Sequence, residues 1–282
     1  MPHTIVDLLD KAAQANHADQ FRQGSLISLP ARGSLVAAGD IHGHRRNFER
    51  LIAFVDLDNN SDRHIVLQEI IHGGPTDSEM GCLSYELLFD VARYKLNYPD
   101  RVHIIMGNHD IAFITNCEII KDSREMNRSM RLALAHRFAD DSPQIEQAIS
   151  RFLLSQPLAV RCDNRIWLSH SLPGDRHLDK FDHQIIHRKL DAKDCEKLGS
   201  AYLLTWGRNI SETALDTFAQ LFDVDIFILG HQAQPQGWAK LGKNCIIIAS
   251  DHSHGCLLPV DLAESCTIDR LVKAIVPLAS VS

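Results

Sequence analysis

The sequence predicts an α/β fold in which two β-sheets pack face to face with helices outside. Three observations predict it. Short apolar, β-branched runs alternate with helix-period stretches through the first 110 residues, a helix-rich segment follows over 117–156, and a second series of strands begins after Pro157. The order strand, helix, strand, helix, strand is that of a parallel sheet with helical crossovers. No repeat, low-complexity tract or Pro/Gly/Ser-rich linker divides the 282 residues, so one large domain with a core over about 34–260 is expected.

Taken in order, the runs at 34–38, 64–67 and 102–106 read as buried strands, each ending in polar residues. Between them, 45–55 and 78–98 carry helical patterns, the second stopped by Pro99. The segment 117–156 is helical in composition, most amphipathic over 124–138, and is expected to be an insertion. Strands then return at 158–161, 165–168, 225–229, 245–248 and 255–260, with helices over 181–190 and 211–222 and a last one near the chain end.

Composition narrows the function. Hydrophobic residues make up 45% and charged residues 23%, as in a soluble globular protein, and the net charge of −7 gives no sequence-wide footprint for nucleic acid or anionic lipid. No apolar run approaches the roughly 18 residues of a membrane span, and residues 1–10 lack the basic and apolar regions of a signal peptide. The cysteines, Cys82, Cys117, Cys162, Cys195, Cys245, Cys256 and Cys266, form no C-x-x-C pair. Reduced thiols in a cytoplasmic protein are therefore expected. The unusual number is 16 histidines.

The strand ends read Gly39-Asp40-Ile41-His42-Gly43, Gln68-Glu69, Gly107-Asn108-His109-Asp110, Ser169-His170 and Gly230-His231. In open α/β sheets ligands bind outside the carboxyl ends of strands. Carboxylate, amide carbonyl and imidazole donors suit divalent ions such as Mn²⁺, Fe²⁺ and Zn²⁺, and neighbouring glycines allow sharp turns around an ion. A lone strand-end histidine is more often structural. Oxygen and imidazole donors at five successive strand ends point instead to a metal site, because polar groups there carry a burial cost unless they bind something.

These blocks, GDIHG at 39–43, GNHD at 107–110, SHSLPG at 169–174 and GHQ at 230–232, resemble the calcineurin-like metallophosphoesterase superfamily. Within it they are most similar to the phosphoprotein-phosphatase-type branch, which includes bacterial serine/threonine phosphatases and symmetrical dinucleoside tetraphosphatases. The resemblance covers about 35–260 and implies a double β-sandwich of two mixed sheets flanked by helices. It implies two divalent metal ions, manganese foremost with iron or zinc as alternatives, and a phosphorylated protein, nucleotide or small molecule as substrate. Asp40 and His42 would hold the first ion, Asn108, His170 and His231 the second, and Glu69 would bridge them. His109 would protonate the leaving oxygen, with Asp110 orienting its imidazole. The implied reaction is attack of a metal-bound hydroxide on the phosphorus of a phosphomonoester or phosphoanhydride, with ions about 3.5–4 Å apart neutralising the developing charge.

The second block departs from the family's Gly-Asp-x-x-Asp-Arg-Gly; the matching stretch is Gln68-Glu69-Ile70-Ile71-His72-Gly73-Gly74. Glu69 keeps the charge but lengthens the arm, by on the order of 1.5 Å. His72 replaces a carboxylate that would support the catalytic histidine, so it serves as a further ligand, a phosphate contact or the proton donor itself. Gly73 removes a bidentate phosphate contact, for which Arg208 in Thr205-Trp206-Gly207-Arg208 is a replacement. His252 and His254 lie in a loop that family members bring back to the site, where they would meet substrate or complete the first ion's ligands. The segment 117–156 would cap the site with Lys121, Arg124, Arg128, Arg131 and Arg137, or leave them as a solvated face. These departures keep a second reading open: a protein of this fold that binds metal or a phosphorylated ligand without turnover.

Overall fold

Ahead of the first predicted strand lies a 17-residue helix, α1 (Pro2–Ala18), that the strand pattern did not disclose. It buries Leu9 and Ala12. The computed structural model describes residues 2–75, 77, 78, 81–121 and 123–281. The chain continues through β1 (Arg22–Gln23), β2 (Leu26–Leu29), β3 (Ser34–Asp40), α2 (Arg45–Val55) and β4 (Arg63–Gln68). After α3 (Ser84–Asn97) come β5 (Val102–Ile105) and α4 (Asn108–Ile114). A two-residue-per-strand hairpin follows, β6 (Ile120–Lys121) and β7 (Arg124–Glu125), then α5 (Met126–Phe138) and α6 (Ser142–Leu154). The second half holds β8 (Ala159–Cys162), β9 (Ile166–Ser169), α7 (Ser200–Trp206), α8 (Glu212–Phe222), β10 (Ile226–Leu229) and β11 (Trp238–Leu241). It ends with β12 (Cys245–Ile248), β13 (Cys256–Asp261), α9 (Ile268–Ala274) and β14 (Val276–Pro277).

Apart from the β6–β7 hairpin, these strands form two mixed sheets, as expected. One has the order β1-β2-β8-β9-β10-β12-β11 and the other β14-β13-β3-β4-β5. Strands β3, β4 and β5 are parallel neighbours, as are β9, β10 and β12. The sheets share a core in which Leu35, Val66 and Ile105 of one layer are buried with Leu168, Ile228 and Ile246 of the other. Strands buried on both faces are apolar at nearly every position rather than alternating, which is why their sequences read as unbroken runs. On the outer face of the five-stranded sheet, Phe48, Leu51, Leu88 and Phe152 seal α2, α3 and α6. On the outer face of the seven-stranded sheet, Trp167 stacks on Phe222 of α8 with centroids 4.0 Å apart.

Three expectations are corrected. Residues 181–190 are not an α-helix but lie among short 3₁₀ turns, including His183–His187. Helix α3 starts at Ser84 rather than 78; Ser78 and Gly81 form an isolated antiparallel bridge before it. The segment 117–156 is not a cap as a whole, because α5 and α6 belong to the outer layer with α1 and α4, and α6 buries its Ile145, Ile149 and Phe152 there. Among the described residues no helix is long and apolar enough to cross a membrane.

The sheets converge at one corner. Asp40 at the end of β3 bridges to Ala249 just past β12, and the register between β3 and β4 shifts between Ala37 and Asp40. Gly39 makes this possible: a Cβ there would run into the Ile248 carbonyl and fall 2.7 Å from the Ala249 Cα. Ser250 N–H donates to Asp40 O at 3.1 Å and Ser250 Oγ accepts from Gly39 N–H at 2.9 Å, closing the corner. The carboxyl ends of strands from both sheets therefore open onto one place.

Candidate metal centre

At that corner lies a cavity of about 610 Å³ lined by Asp40, His42, Glu69, Asn108, His109 and His231, with Arg208 and Trp206 on one side. His170 is fully buried behind them and His72 lies beneath His109. Turns place these side chains. His42, Glu69, His72 and His231 have φ of +44°, +47°, +62° and +67°, the left-handed region that side chains with a Cβ seldom adopt. The Glu69 carbonyl accepts from both Ile41 and His42 N–H, at 3.1 and 2.8 Å, tying the end of β3 to that of β4.

Two groups of donors emerge. Single ligand atoms of His42, Glu69 and His109 lie within 4.8 Å of one another, and so do those of Glu69, His170 and His231. Glu69 belongs to both. Its Oε1 accepts from His109 N–H at 2.8 Å, and its Oε2 lies 2.9 Å from His170 Nε2. Gly107 leaves room for this longer arm, since a Cβ there would lie 2.8 Å from Glu69 Cδ. Asp40 Oδ1 accepts from His231 N–H at 2.9 Å, and its Oδ2 lies 3.9 Å from His42 Nε2. Asn108 Oδ1 lies 2.9 Å from His170 Nε2 and 2.7 Å from His231 Nδ1.

The hydrogen bonds assign tautomers. His42 Nδ1 faces the Ile71 carbonyl at 3.1 Å, so Nδ1 carries the proton and Nε2 is a free lone pair. Gln68 Nε2 donates to Ala38 O at 2.9 Å, leaving its Oε1 to accept from His170 Nδ1 at 2.7 Å. His170 therefore also turns an unprotonated Nε2 inward, against Glu69 Oε2 and Asn108 Oδ1. Three lone-pair atoms converging within 3 Å repel unless a cation or a proton sits among them. This donor set fits divalent ions.

The electrostatics agree. Burial pushes Asp40 up to about 6, with the nearby Glu69 charge adding to the shift, and burial pushes Glu69 up to about 8. Burial first, then neighbouring charges, hold His42, His109 and His231 well below the usual histidine range. Burial thus keeps the imidazole lone pairs free for a divalent ion, and a cation bound among them would favour the charged form of both carboxylates.

Other predicted residues fall differently. Asp110 accepts from Gly107 N–H at 2.9 Å, capping the first turn of α4, and so shapes the turn instead of touching the His109 imidazole. His109 Nδ1 lies 3.3 Å from His72 Nδ1, and burial holds His72 down to about 3. His252 points its Nε2 at Gln234 O, 3.0 Å away, and does not line the cavity; its backbone anchors Asn47, and its neighbour Asp251 is the residue that faces the site. Arg208 does line the cavity, with Nη1 3.4 Å from His231 O. Of Lys121, Arg124, Arg128, Arg131 and Arg137, only Lys121 does so. Gln68 had no predicted role, yet its signal was visible: an amide at the buried end of an otherwise apolar strand.

A family model described as calcineurin-like phosphoesterase matches residues 33–235 of the chain. The fold is similar to that of a protein serine/threonine phosphatase from Saccharomyces cerevisiae with similarity to human phosphatase PP5. That match has a TM-score of 0.68 and 13% identity over 92% of this chain and 82% of the other. It is also similar to a cold-active protein-tyrosine phosphatase of a psychrophile, Shewanella sp., with a TM-score of 0.59 and 19% identity over 84% of this chain and 77% of the other.

Proposed function

Because the chain belongs to the calcineurin-like phosphoesterase family and is thus a metal-dependent phosphoric ester hydrolase, we propose that it is a binuclear phosphatase of the phosphoprotein-phosphatase type. Its substrate is a phosphomonoester, on a protein or a small molecule, or a nucleotide phosphoanhydride. The observation that carries the reading is the position of Glu69, the carboxylate common to both groups of donors.

Asp40 and His42 would hold one ion, Asn108, His170 and His231 the other, with Glu69 between them and Mn²⁺ as the working ion. Bound there, a pair of divalent ions supplies an activated water and neutralises charge building on phosphorus. The protein's own part is positioning and proton management. Gln68 fixes the ring of His170, the Ile71 carbonyl that of His42, and the β3–β12 corner fixes Asp40. His109 lines the cavity with Glu69 on its backbone N–H and would deliver the proton to the leaving oxygen. His72, buried and neutral at 3.3 Å, would share that proton with His109 in place of an acidic partner. Arg208 supplies positive charge at the cavity wall for the substrate's phosphate.

The test is turnover by Mn²⁺-loaded protein of p-nitrophenyl phosphate, a phosphopeptide and diadenosine tetraphosphate, alongside elemental analysis. Two ions per chain and hydrolysis of at least one substrate, lost in Asp40→Asn, are expected. Fewer than two ions in the active protein would sink the binuclear reading, and rates no higher than those of Asp40→Asn on all three substrates would sink the hydrolytic one.

A further inference from the structure

We propose that Lys121, delivered by the β6–β7 hairpin, is a substrate-phosphate contact that reaches into the space left by Gly73. The inference rests on the phosphatase reading for its meaning but on separate residues for its geometry. Gly73 has φ +101° and follows His72 directly. A side chain starting at Gly73 would at once meet Lys121 Cδ and Cε, at 3.8 Å each, and Nζ at 3.6 Å. The lysine thus fills the volume that a long side chain from position 73 would need. Its tail lines the same cavity as Glu69, His109 and Arg208, and its charge is felt at His42, Glu69, His72 and His109.

The ammonium is placed rather than merely near. The two ends of the hairpin are tied to each other and to α4, the helix that begins with Asn108 and His109. Asn127 Nδ2 donates to Ala112 O at 3.0 Å and to Cys117 O at 2.6 Å. Glu118 Oε1 accepts from Asn127 N–H at 2.8 Å, and Met126 N–H donates to Ile119 O at 2.9 Å. Among the described residues the carboxylate paired with Lys121 Nζ is Asp251, whose Oδ2 is 3.9 Å away, beyond hydrogen-bonding distance. The ammonium keeps its donors for an anion while Asp251 holds it over the cavity. With Arg208 lining the same cavity, a phosphate there would have two cations to meet, one a planar fork and one a point charge.

The measurement is titration of inorganic phosphate into the Mn²⁺-loaded protein by calorimetry, with metal content determined on each variant. Losing one hydrogen bond to a charged group weakens binding about 10- to 100-fold. Lys121→Met should weaken phosphate binding by that factor at unchanged metal content, Lys121→Arg should stay within a few-fold of the parent, and KM for p-nitrophenyl phosphate should rise more than kcat falls. Phosphate binding by Lys121→Met within about two-fold of the parent overturns the proposal. So does a loss of metal in parallel with phosphate, or a parent protein that binds no phosphate. A parent that binds phosphate through Lys121 yet turns over no substrate leaves this inference standing and removes the hydrolytic reading instead.

Discussion

Acid should destabilise this protein through a pair of histidines that its chemistry does not use. His64 lies near one end of β4, opposite the end that leads into Glu69, and its Nδ1 is 3.1 Å from His103 Nε2. His103 Nδ1 is 3.0 Å from Asp19 Oδ2, which also accepts from Lys95 Nζ at 3.1 Å. Burial, then the His103 charge, hold His64 down to about 3 in the fold, whereas an unfolded histidine titrates near 6.5. The folded value is the lower one, so the unfolded chain takes up the proton first. The contribution is whole above about pH 6.5 and falls as pH drops below it. At pH 5 the loss is about 1.5 pH units at about 1.4 kcal/mol each, or about 2 kcal/mol, equivalent to roughly 4–8 °C in Tm for a chain of this size. Urea unfolding at pH 7.5 and 5.0 in the presence of EDTA, for the parent and for His64→Asn, isolates this term from the other histidines. The stability lost between the two pH values should be about 2 kcal/mol smaller in the variant. Equal losses in the two proteins would refute the argument that His64 is buried in its neutral form.

Lys95 is buried against Asp19, Pro99 O and Val102 O, so Lys95→Met should cost about 3–5 kcal/mol by calorimetry, and adding Asp19→Asn should recover part of it. Gly107→Ala should displace Glu69 and lower bound metal, read by elemental analysis; combining it with Glu69→Asp, whose shorter arm withdraws from the new Cβ, should restore loading. Gln68→Ala frees the His170 ring and should weaken Mn²⁺ binding about 10- to 100-fold in a competition assay.

Much of the fold was legible because a strand buried on both faces must be largely apolar: β10 and β12 are so throughout, and β3 and β4 over 35–38 and 65–67. The edge strand β11 was not, since Trp238–Leu241 is only half-buried and carries no apolar run. Helix α1 was missed because it has no acidic first turn to mark its start. At the site, the strand ends converge as the α/β rule expects, and Asp40, His42, Glu69, Asn108, His109 and His231 line one cavity. Side chains whose direction depends on a turn were less legible. Asp110 and His252 satisfy nearby backbone groups instead of facing the cavity, and Lys121 stood in sequence as one cation among several because nothing local distinguishes the one that a hairpin turns inward.

The four left-handed residues, His42, Glu69, His72 and His231, carry a further consequence. Each L-residue in that conformation costs roughly 1–2 kcal/mol, together roughly 4–8 kcal/mol, comparable to the net stability of a whole domain. The functional corner is thus a standing debt, secured by the interlocked sheets around it. A search for hardier variants of this chain would be drawn to glycine at these four positions, and each gain in heat tolerance there would remove a side chain from the site.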